Sequence, residues 1–591
     1  MFADCHFSVA IALPLDASPS SMRSLFDYRK DMALGAVCAL AGALVSAGPH
    51  FWNWVTRGDW TYLSDYDEFR YYLPMVARAY AGNAFRLPDP AVVEDVPNLA
   101  YPVLQVGPGI FVAQQSGWGP FGISLAWRIQ GGLCMGICWF LLFRILGFSP
   151  VGALACALFM LGDAGILRGK PLYQHATKAC YLLSEGSEFR FMESYIIPHW
   201  RIITPALSWW ALILHVGAFI WARKQGTTKA AVICGLSVAL LPYIYIFYWV
   251  AVGLALILGL AVDAGHRKLY WIAGSVGFLG AVPYLIQKIG ARGTYPRDWM
   301  DRADLFTPAG SLSMIYSRVM VGSLLLMLPI IWRFRRELLY VWCLAAGSIL
   351  LTNHHVVTGI TLQNEHWWYV TGCICSTLIV VLLATQIQVA TTRWPGLRYV
   401  VGALVLLHFS IAIWFRTLDT SRSLGTLSIA ANYQEFQQQR AKYPDPLVAG
   451  SGICGDPGFV DFEIILDRLR PMDHYCVLFS PTTTHDQWDA RIALDAMSLS
   501  TDRALFQKAQ EDRLSDGWGP WQHDPALLKQ RVDNRMVHFD KFSADPNGAF
   551  RSLGVRYVAL RIDAPVPTYL DSSWRRIQDG PNWNVWELVE P

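Results

Sequence analysis

The chain of 591 residues is 53% hydrophobic and only 16% charged, well below the roughly 25% charged residues of typical soluble proteins. This composition excludes a purely soluble enzyme and a disordered chain, and it indicates a membrane protein with a sizeable polar part. Residues 1–419 hold 30 basic and 22 acidic residues, a net charge of +8, whereas residues 420–591 hold 18 and 23, a net charge of −5. Because the basic excess lies in the hydrophobic part, we expect no nucleic-acid-binding surface.

The N-terminal segment, residues 1–31, is predicted to be cytoplasmic. Phe7–Leu15 resembles a short signal h-region, but no basic residue precedes it, and Met22 is an equally good first residue. Three basic residues stand before the first apolar run: Arg23, Arg29 and Lys30. By the positive-inside rule they place the N-terminus in the cytoplasm.

Eleven apolar runs follow between residues 32 and 419, each long enough to be a candidate membrane span. They are 32–48, 122–143, 150–167, 202–222, 230–242, 244–262, 269–287, 312–332, 338–352, 367–388 and 396–415. Only Pro242 separates the fifth run from the sixth, and a single helix there would leave ten spans. Eleven spans put every short basic loop on the cytoplasmic side, so we predict about eleven transmembrane helices with residues 420–591 outside.

The first outside loop, residues 49–121, carries the most unusual cluster of acids in the chain. Asp65, Asp67 and Glu68 occupy three of four consecutive positions, and an aromatic segment with Arg70 and Tyr71 follows. Carboxylates this close repel one another, which suits a general base or a divalent-metal site built from oxygen ligands. A solvated acidic turn that caps a following helix is the structural alternative.

This layout resembles the C-type membrane glycosyltransferases (GT-C). The likeness consists of a first span, a long outside loop with an Asp-x-Asp or Asp-Glu motif (here Asp65-Tyr66-Asp67-Glu68), many further spans and a C-terminal outside domain. Protein O-mannosyltransferases, lipid A aminoarabinose transferases and oligosaccharyltransferase catalytic subunits share this plan. Trp209-Trp210 and Trp367-Trp368 lack the following Asp of the oligosaccharyltransferase signature, which argues against asparagine-linked transfer.

The resemblance implies a polyprenyl-phosphate-linked sugar donor at the outer leaflet and inverting transfer to an extracytoplasmic acceptor, which would be a glycan, lipid or protein. Asp65, Asp67 or Glu68 would act as the base, and Asp65 with Asp67 could hold a Mg²⁺ or Mn²⁺ ion. A leaving phosphate needs cations, for which we select Arg201 with its neighbour His199 at the mouth of the fourth span. Further candidates that could line the cavity are His354, His355, Glu365 and His366, together with Arg70 and Tyr71.

Residues 420–591 are predicted to form an extracytoplasmic α/β domain that guides the acceptor. Strands are expected at 447–450, 476–480, 555–561 and 583–589, and helices at 461–470 and 502–514. Cys454 and Cys476 could form a disulfide there. No nucleophile elbow, phosphate loop or metal motif occurs in this part of the sequence.

The preferred prediction is therefore an integral membrane glycosyltransferase of the cell envelope, in a bacterial inner membrane. A transporter or flippase for a lipid-linked or anionic substrate is the second hypothesis, but it would favour charged residues buried within spans and internal repeats. Asp163 is the one charge we noted near a span, and no repeat is evident. The third hypothesis, a non-catalytic assembly protein with a binding domain, leaves the acidic cluster unexplained.

Overall fold

The computed structural model describes most of the chain. The described residues are 28–58, 60–61, 68–92, 103–162, 207–292, 298–302, 305–309, 311–315, 318–363, 365–421, 424–478, 480–515 and 519–589. Every structural statement below concerns these ranges. The acids Asp65 and Asp67, the pair His199 and Arg201, and Asp163 lie outside them.

A described helix overlaps each of the eleven predicted spans, and the number of membrane spans stays a prediction. These helices are α1 (Tyr28–Arg57), α4 (Gly119–Ile145), α5 (Pro150–Leu161), α6 (Trp209–Gln225), α7 (Thr228–Ile244), α8 (Ile246–Val262), α9 (Arg267–Arg292), α11 (Arg318–Phe334), α12 (Leu339–Thr352), α14 (Glu365–Arg393) and α15 (Leu397–Ser421). Four helices in the described ranges are long and apolar enough to cross a membrane by length and composition: Arg29–Arg57, Gly119–Ile145, Ala264–Gly290 and Val370–Arg393. Their side chains form one extended apolar core with the helices between them.

The division between α7 and α8 lies three residues after the proline that the sequence singled out. Pro242 lies within the last turn of α7, and the break itself is at Tyr245, whose backbone is extended (φ −162°, ψ 109°). The backbone amide of Tyr245 still donates to the Leu241 carbonyl, so the first helix is closed before the second begins. The two helices are therefore separate elements, as the eleven-span interpretation requires.

The helix ends fall on two faces. On one, which we call the basic face, Arg144 at the end of α4 pairs with Asp31 of α1 (2.7 Å), and Arg223 of α6 pairs with Asp263 after α8. Lys224 donates to the carbonyl of Ile145 (2.5 Å) on the same face. On the opposite face, the loop face, two strands from different loops pair antiparallel: β1 (Leu305–Pro308) and β2 (Ile360–Leu362). The basic residues named here thus lie together at one end of the helices, and the sidedness of the remaining loops stays a prediction.

Short helices on the loop face follow the first loop. The five-residue π-helix Glu68–Tyr72 runs directly into α2 (Leu73–Ala81), and α3 (Val103–Gln115) precedes α4. The sequence predicts an amphipathic helix over residues 67–82 and a second surface segment over 98–115, and helices are found within both ranges. Two further short helices, α10 (Asp298–Arg302) and α13 (His355–Thr358), lie in the later loops of this face.

The C-terminal part contains a five-stranded mixed sheet flanked by helices. The strand order is β4 (Arg470–Pro471), β3 (Gly452–Gly455), β5 (Val555–Arg561), β7 (Trp583–Leu588) and β6 (Trp574–Asp579). The parallel pairs are β3 with β4 and with β5, whereas β7 is antiparallel to both neighbours. The accompanying helices are α16 (Leu424–Lys442), α17 (Pro457–Leu466), α18 (Tyr475–Leu478), α19 (His485–Ser498), α20 (Arg503–Ser515), α21 (Pro525–Ala544) and α22 (Pro546–Ser552).

Three local predictions in this part are wrong. Residues 447–450 precede the strand, which begins at Gly452, and residues 475–478 form a helical turn where a strand was expected. Cys454 and Cys476 are free thiols. The sulfur of Cys476 instead lies 3.0 Å from Nδ1 of His474, and burial raises the pKa of the Cys454 thiol well above its ordinary value.

The C-terminal part packs against the loop face through two apolar clusters that include first-loop residues. Phe69 lies against Phe462 of α17 (ring centroids 4.7 Å apart), and Tyr71 joins the cluster on the other side of the sheet. Buried polar contacts complete the attachment: Asp89 accepts from Ser480 and Thr482 (2.7 Å each). The C-terminal domain therefore lies on the same face as the first loop.

Candidate functional site

The acidic cluster enters the described structure at Glu68, the first residue of the π-helix. Asp65 and Asp67 lie outside the described residues, so their side chains are known only by their place in the chain. Single π-helical turns are rare and occur frequently at functional sites. Glu68, Phe69 and Tyr71 are buried here, which ties the end of the acidic motif firmly to the helix bundle.

Glu68 forms a buried, two-point ion pair with Arg128 of α4. The two guanidinium nitrogens Nη1 and Nη2 donate to the two carboxylate oxygens at 2.7 and 2.6 Å, and both side chains are about 1% exposed or less. Such a fork-to-fork pair is among the stronger hydrogen-bonded arrangements. Both carboxylate oxygens of Glu68 are engaged by this guanidinium, which favours an anchoring role; the role of Glu68 as base stays a prediction.

Further polar contacts connect the Glu68–Arg128 pair to the end of the first predicted span helix, α1. Nη1 of Arg128 also donates to Oγ of Ser124 (2.6 Å), and that hydroxyl lies 3.3 Å from Nε2 of His50. Nδ1 of His50 lies 2.7 Å from the carbonyl oxygen of Trp60, to which it donates. One buried polar chain thus connects α1, α4 and both ends of the described gap around the acidic residues.

Arg128 and His50 were not among the predicted site residues. The sequence does contain a signal: Arg128 lies within the apolar run 122–143, and a charge inside a span needs a partner. Asp163 is therefore not the one charge at the predicted spans. The identity of the partner was not accessible from the sequence, because 60 residues separate Glu68 from Arg128.

Arg70 and Tyr71 both face the C-terminal domain. Nε of Arg70 lies 3.1 Å from Oδ2 of Asp461 in α17, with 37% of the arginine side chain exposed and 6% of the aspartate. Tyr71 is 7% exposed and packs in the apolar cluster with the domain. Arg70 is therefore the predicted cavity residue of this pair that retains access to solvent.

Three of the predicted histidines, His354, His355 and His366, lie within the described ranges. His366 contacts the hydroxyl of Tyr245 and stacks on Phe247 (4.5 Å), while His354 lies edge-on to Trp367 (5.2 Å). Trp367 joins the two, because its ring also contacts Phe247 at 5.1 Å. The ring of His355 lies edge-on to that of His354 (6.2 Å), and its Nε2 lies 3.0 Å from the carbonyl oxygen of Ser313. Glu365 begins α14.

The chain that carries His199 and Arg201 returns to the described structure at Leu207. Leu207 is fully buried in the same apolar cluster as Phe69, the residue after Glu68. Six residues separate Arg201 from Leu207, a reach of at most about 20 Å. Ser208 follows and shares a hydrogen bond with Tyr248 (2.9 Å), next to the Tyr245 that contacts His366. The chain that follows the predicted phosphate-binding residues is thus anchored in the same apolar cluster as the end of the acidic motif.

No group of three or more His, Cys, Asp or Glu side chains within the described ranges is placed to hold a metal ion. The two carboxylates that the sequence suggests for Mg²⁺ or Mn²⁺, Asp65 and Asp67, fall outside those ranges. We therefore derive no step of a reaction through a metal.

A buried histidine in the C-terminal domain is the clearest electrostatic feature near the site. Burial alone would lower the pKa of His474, but the Cys476 sulfur and the Asp461 carboxylate (3.3 Å from Nε2) raise it to about 10. The Nε2 atom of His474 thus faces the Asp461 carboxylate, while Nδ1 accepts from the backbone amide of Cys476 (3.3 Å).

This raised pKa gives a testable pH dependence of stability. Because the folded protein binds the proton more tightly than the unfolded chain, the contribution of His474 is fully present below pH 6.5 and is lost as pH rises towards 10. We expect the stability gap between wild type and His474→Gln, measured by denaturation and tryptophan fluorescence, to shrink steadily between pH 7 and 10. A gap that stays constant over this range would contradict the assignment.

Comparisons with known proteins give structural neighbours only. The chain is similar to ArnT from Cupriavidus metallidurans bound to undecaprenyl phosphate (13% identity, 95% of this chain, 99% of that chain, TM-score 0.49). It is also similar to the oligosaccharyltransferase of Archaeoglobus fulgidus in the apo form (12%, 91% and 70%, TM-score 0.43) and in complex with Zn and sulfate (13%, 89% and 68%, TM-score 0.38). These neighbours are GT-C glycosyltransferases. No family model matches the chain, and no curated protein matches it either.

Proposed function

We propose that this protein is a membrane glycosyltransferase that moves a sugar from a polyprenyl-phosphate-linked donor to an acceptor on the loop face. The observation that carries the proposal is the buried Glu68–Arg128 pair, which fixes the acidic motif of the first loop to the helix bundle. An acid that merely caps a helix in solvent needs no such anchor. The last residue of the motif, Glu68, is held instead by the helix bundle, which supports a position of the motif where a lipid-linked donor would present its sugar.

In the proposed reaction, Asp65 or Asp67 takes the proton of an acceptor hydroxyl. The acceptor oxygen attacks the anomeric carbon from the side opposite the phosphate, a new C–O bond forms, and the bond from that carbon to the phosphate oxygen breaks. The electron pair leaves with the polyprenyl phosphate, so the configuration at the sugar inverts. Arg201, with His199 beside it, stabilises the charge on the leaving phosphate.

The loop face is proposed to lie outside the cytoplasm. The arginine- and lysine-rich loops occupy the opposite face, and the positive-inside rule places those in the cytoplasm. The N-terminus is then cytoplasmic and the C-terminal domain extracytoplasmic, in a bacterial inner membrane. The site accordingly faces the leaflet that supplies cell-envelope glycans with their lipid-linked sugars.

The test is a transfer assay with the purified full chain in lipid nanodiscs. Undecaprenyl-phosphate sugars with a radiolabelled sugar are supplied together with an extract of envelope glycans, lipids and proteins. We expect free undecaprenyl phosphate to form in step with label in an acceptor. If every donor tested stays intact, but labelled lipid crosses the bilayer of proteoliposomes, the protein is a flippase and the proposal fails.

A further inference from the structure

One buried arginine of the C-terminal domain, Arg491, has no hydrogen-bond acceptor in the described part of the chain. It lies in the middle of α19 and is 7% exposed. Its Nη1 atom is fully buried, and no described carbonyl, hydroxyl or carboxylate oxygen lies within hydrogen-bond distance of it. The residue is thus nearly, but not completely, closed off from solvent.

Three other buried arginines beside α19 have their charge compensated by protein atoms. Arg531 and Arg535 both donate to Asp489 of α19, at 2.7 and 2.9 Å. Arg302 donates to three backbone carbonyl oxygens. Burying a charge is costly unless a partner compensates it. Arg491 differs from these neighbours within the described ranges, and an anionic ligand would supply the missing partner.

Two charged side chains act on Arg491 in opposite directions. Burial lowers its pKa to about 10, with a further contribution from the positive charge of Arg470, whereas Asp89 raises it. Arg491 nevertheless stays protonated at neutral pH. Arg470 donates to the carbonyl oxygens of Leu553 and Gly554, which hold it in place. Two guanidinium groups are thus kept within electrostatic range of each other, an arrangement that a nearby anion would stabilise.

Asp89 of the first loop does not replace a direct partner. Its Oδ2 atom accepts from the hydroxyls of Ser480 and Thr482 (2.7 Å each), and its Oδ1 atom accepts from the backbone amide of Ala91 (3.0 Å). Both carboxylate oxygens are therefore engaged by other donors, and the buried Nη1 atom of Arg491 is not among them. Asp89 attracts the arginine at a distance and leaves this donor for another acceptor.

The position of Arg491 relative to the first loop suits the binding of an acceptor. Asp89 belongs to that loop, and the Cys476 thiol also acts on the pKa of Arg491. Cys476 and Tyr71 are members of one apolar cluster, and Tyr71 stands four residues after Asp67. A group bound at Arg491 would therefore lie on the side of the domain that contacts the first loop, which carries the proposed base.

We propose that Arg491 binds an oxyanion group of the acceptor, a phosphate or a carboxylate, and that the acceptor is therefore anionic. A planar guanidinium binds both groups through two parallel hydrogen bonds, and such a pair would satisfy the buried Nη1 donor. The inference rests on the proposed function, because it names the class of acceptor. The C-terminal domain then selects the acceptor by its charge.

The first test measures anion binding without turnover. The full chain in phosphatidylcholine nanodiscs is titrated with sodium phosphate, and in a second series with sodium acetate, at an ionic strength held constant with sodium chloride. Thermal unfolding is followed by tryptophan fluorescence. We expect at least one of the two anions to raise the unfolding temperature of the wild type, because a ligand that binds only the folded state stabilises it. The anion with the larger effect identifies the group.

Arg491→Gln should weaken this anion binding by about 10-fold or more, because a charge-assisted pair is lost. Arg491→Lys keeps the charge and should retain part of the affinity. The matched control is Arg575→Gln, which removes an arginine of the same domain from an exposed pair with Glu587 on β6. It should respond to the anion as the wild type does.

The stability of Arg491→Met without phosphate or acetate separates a ligand site from an internal structural contact. Methionine removes a buried charge that has no direct protein partner in the described ranges, so the variant should unfold at the wild-type temperature or above. If Arg491 instead compensated Asp89 within the fold, Arg491→Met and Asp89→Asn would both unfold at lower temperatures. That result would overturn the inference.

The transfer assay gives the third measurement. Arg491→Gln should raise the acceptor concentration needed for half-maximal rate by about 10-fold and leave the rate at saturating acceptor unchanged, since the lost contact is to the acceptor away from the reacting atoms. Equal anion responses of wild type and Arg491→Gln would overturn the inference while the proposed function stands. Anion binding at Arg491 in a protein that consumes no donor would instead leave the anion site and remove the proposed function.

Discussion

Asp67→Asn and Asp65→Asn are both expected to give folded proteins. At least one of the two variants should transfer sugar about 100 to 10,000 times more slowly than the wild type, the range typical of a general base. Asparagine keeps the shape of the side chain but cannot take the acceptor proton. The measurement is the initial rate of undecaprenyl phosphate release from the labelled donor in nanodiscs.

The control for this experiment is Asp533→Asn, which removes an acid from an exposed ion pair with Lys529 on α21. It should transfer at the wild-type rate. The two variants also distinguish the roles of the two acids. Replacing the base should lower the transfer rate at saturating donor. Replacing an acid that only orients the acceptor should mainly raise the acceptor concentration needed for half-maximal rate. Full activity in both variants would remove the catalytic assignment from the motif.

Glu68→Gln is expected to lower the free energy of unfolding and not to remove the catalytic base. Breaking a buried ion pair on one side leaves an uncompensated charge, which costs about 3–5 kcal/mol. Arg128→Met should have a loss of similar size, because it leaves the Glu68 carboxylate buried without its cation. The free energy of unfolding can be measured by titrating the purified protein with SDS and following helix content.

The apolar double variant E68L/R128M should recover most of that loss, since well-packed hydrophobic residues often replace a buried pair at no cost. Arg503→Gln, which breaks an exposed pair with Asp540, is the control and should unfold like the wild type. If Glu68→Gln proves as stable as wild type and yet inactive, Glu68 is the base and the anchoring role is wrong.

The helices could be predicted from the sequence because their cause is local. Membrane-length apolar runs form helices that satisfy their own backbone hydrogen bonds, so each run maps onto one described helix. The break near Pro242 could also be predicted. The sidedness inferred from arginine and lysine stays a prediction. Strands 555–561 and 583–588 were visible as β-branched and aromatic stretches.

The polar contacts of the site could not be predicted, because they join residues far apart in sequence. Asp461 is a helix residue in the C-terminal domain, and nothing near it indicates that it meets Arg70. The helical turn at 475–478 was mistaken for a strand because a short apolar run has no period of its own. A disulfide between Cys454 and Cys476 was inferred from location, whereas the fold gives Cys476 a histidine neighbour.

The attachment of the C-terminal domain has a consequence for the order of events during synthesis. Arg302 of α10 is fully buried and donates to the carbonyl oxygens of Leu478, Ser480 and Thr483, while Asp89 in the first loop accepts from Ser480. Both loops emerge from the ribosome well before residue 478. These contacts can form only after the last quarter of the chain has been synthesised. We therefore expect nascent or truncated chains to be inserted into the membrane yet inactive. The acidic motif would become active only when the protein is nearly complete.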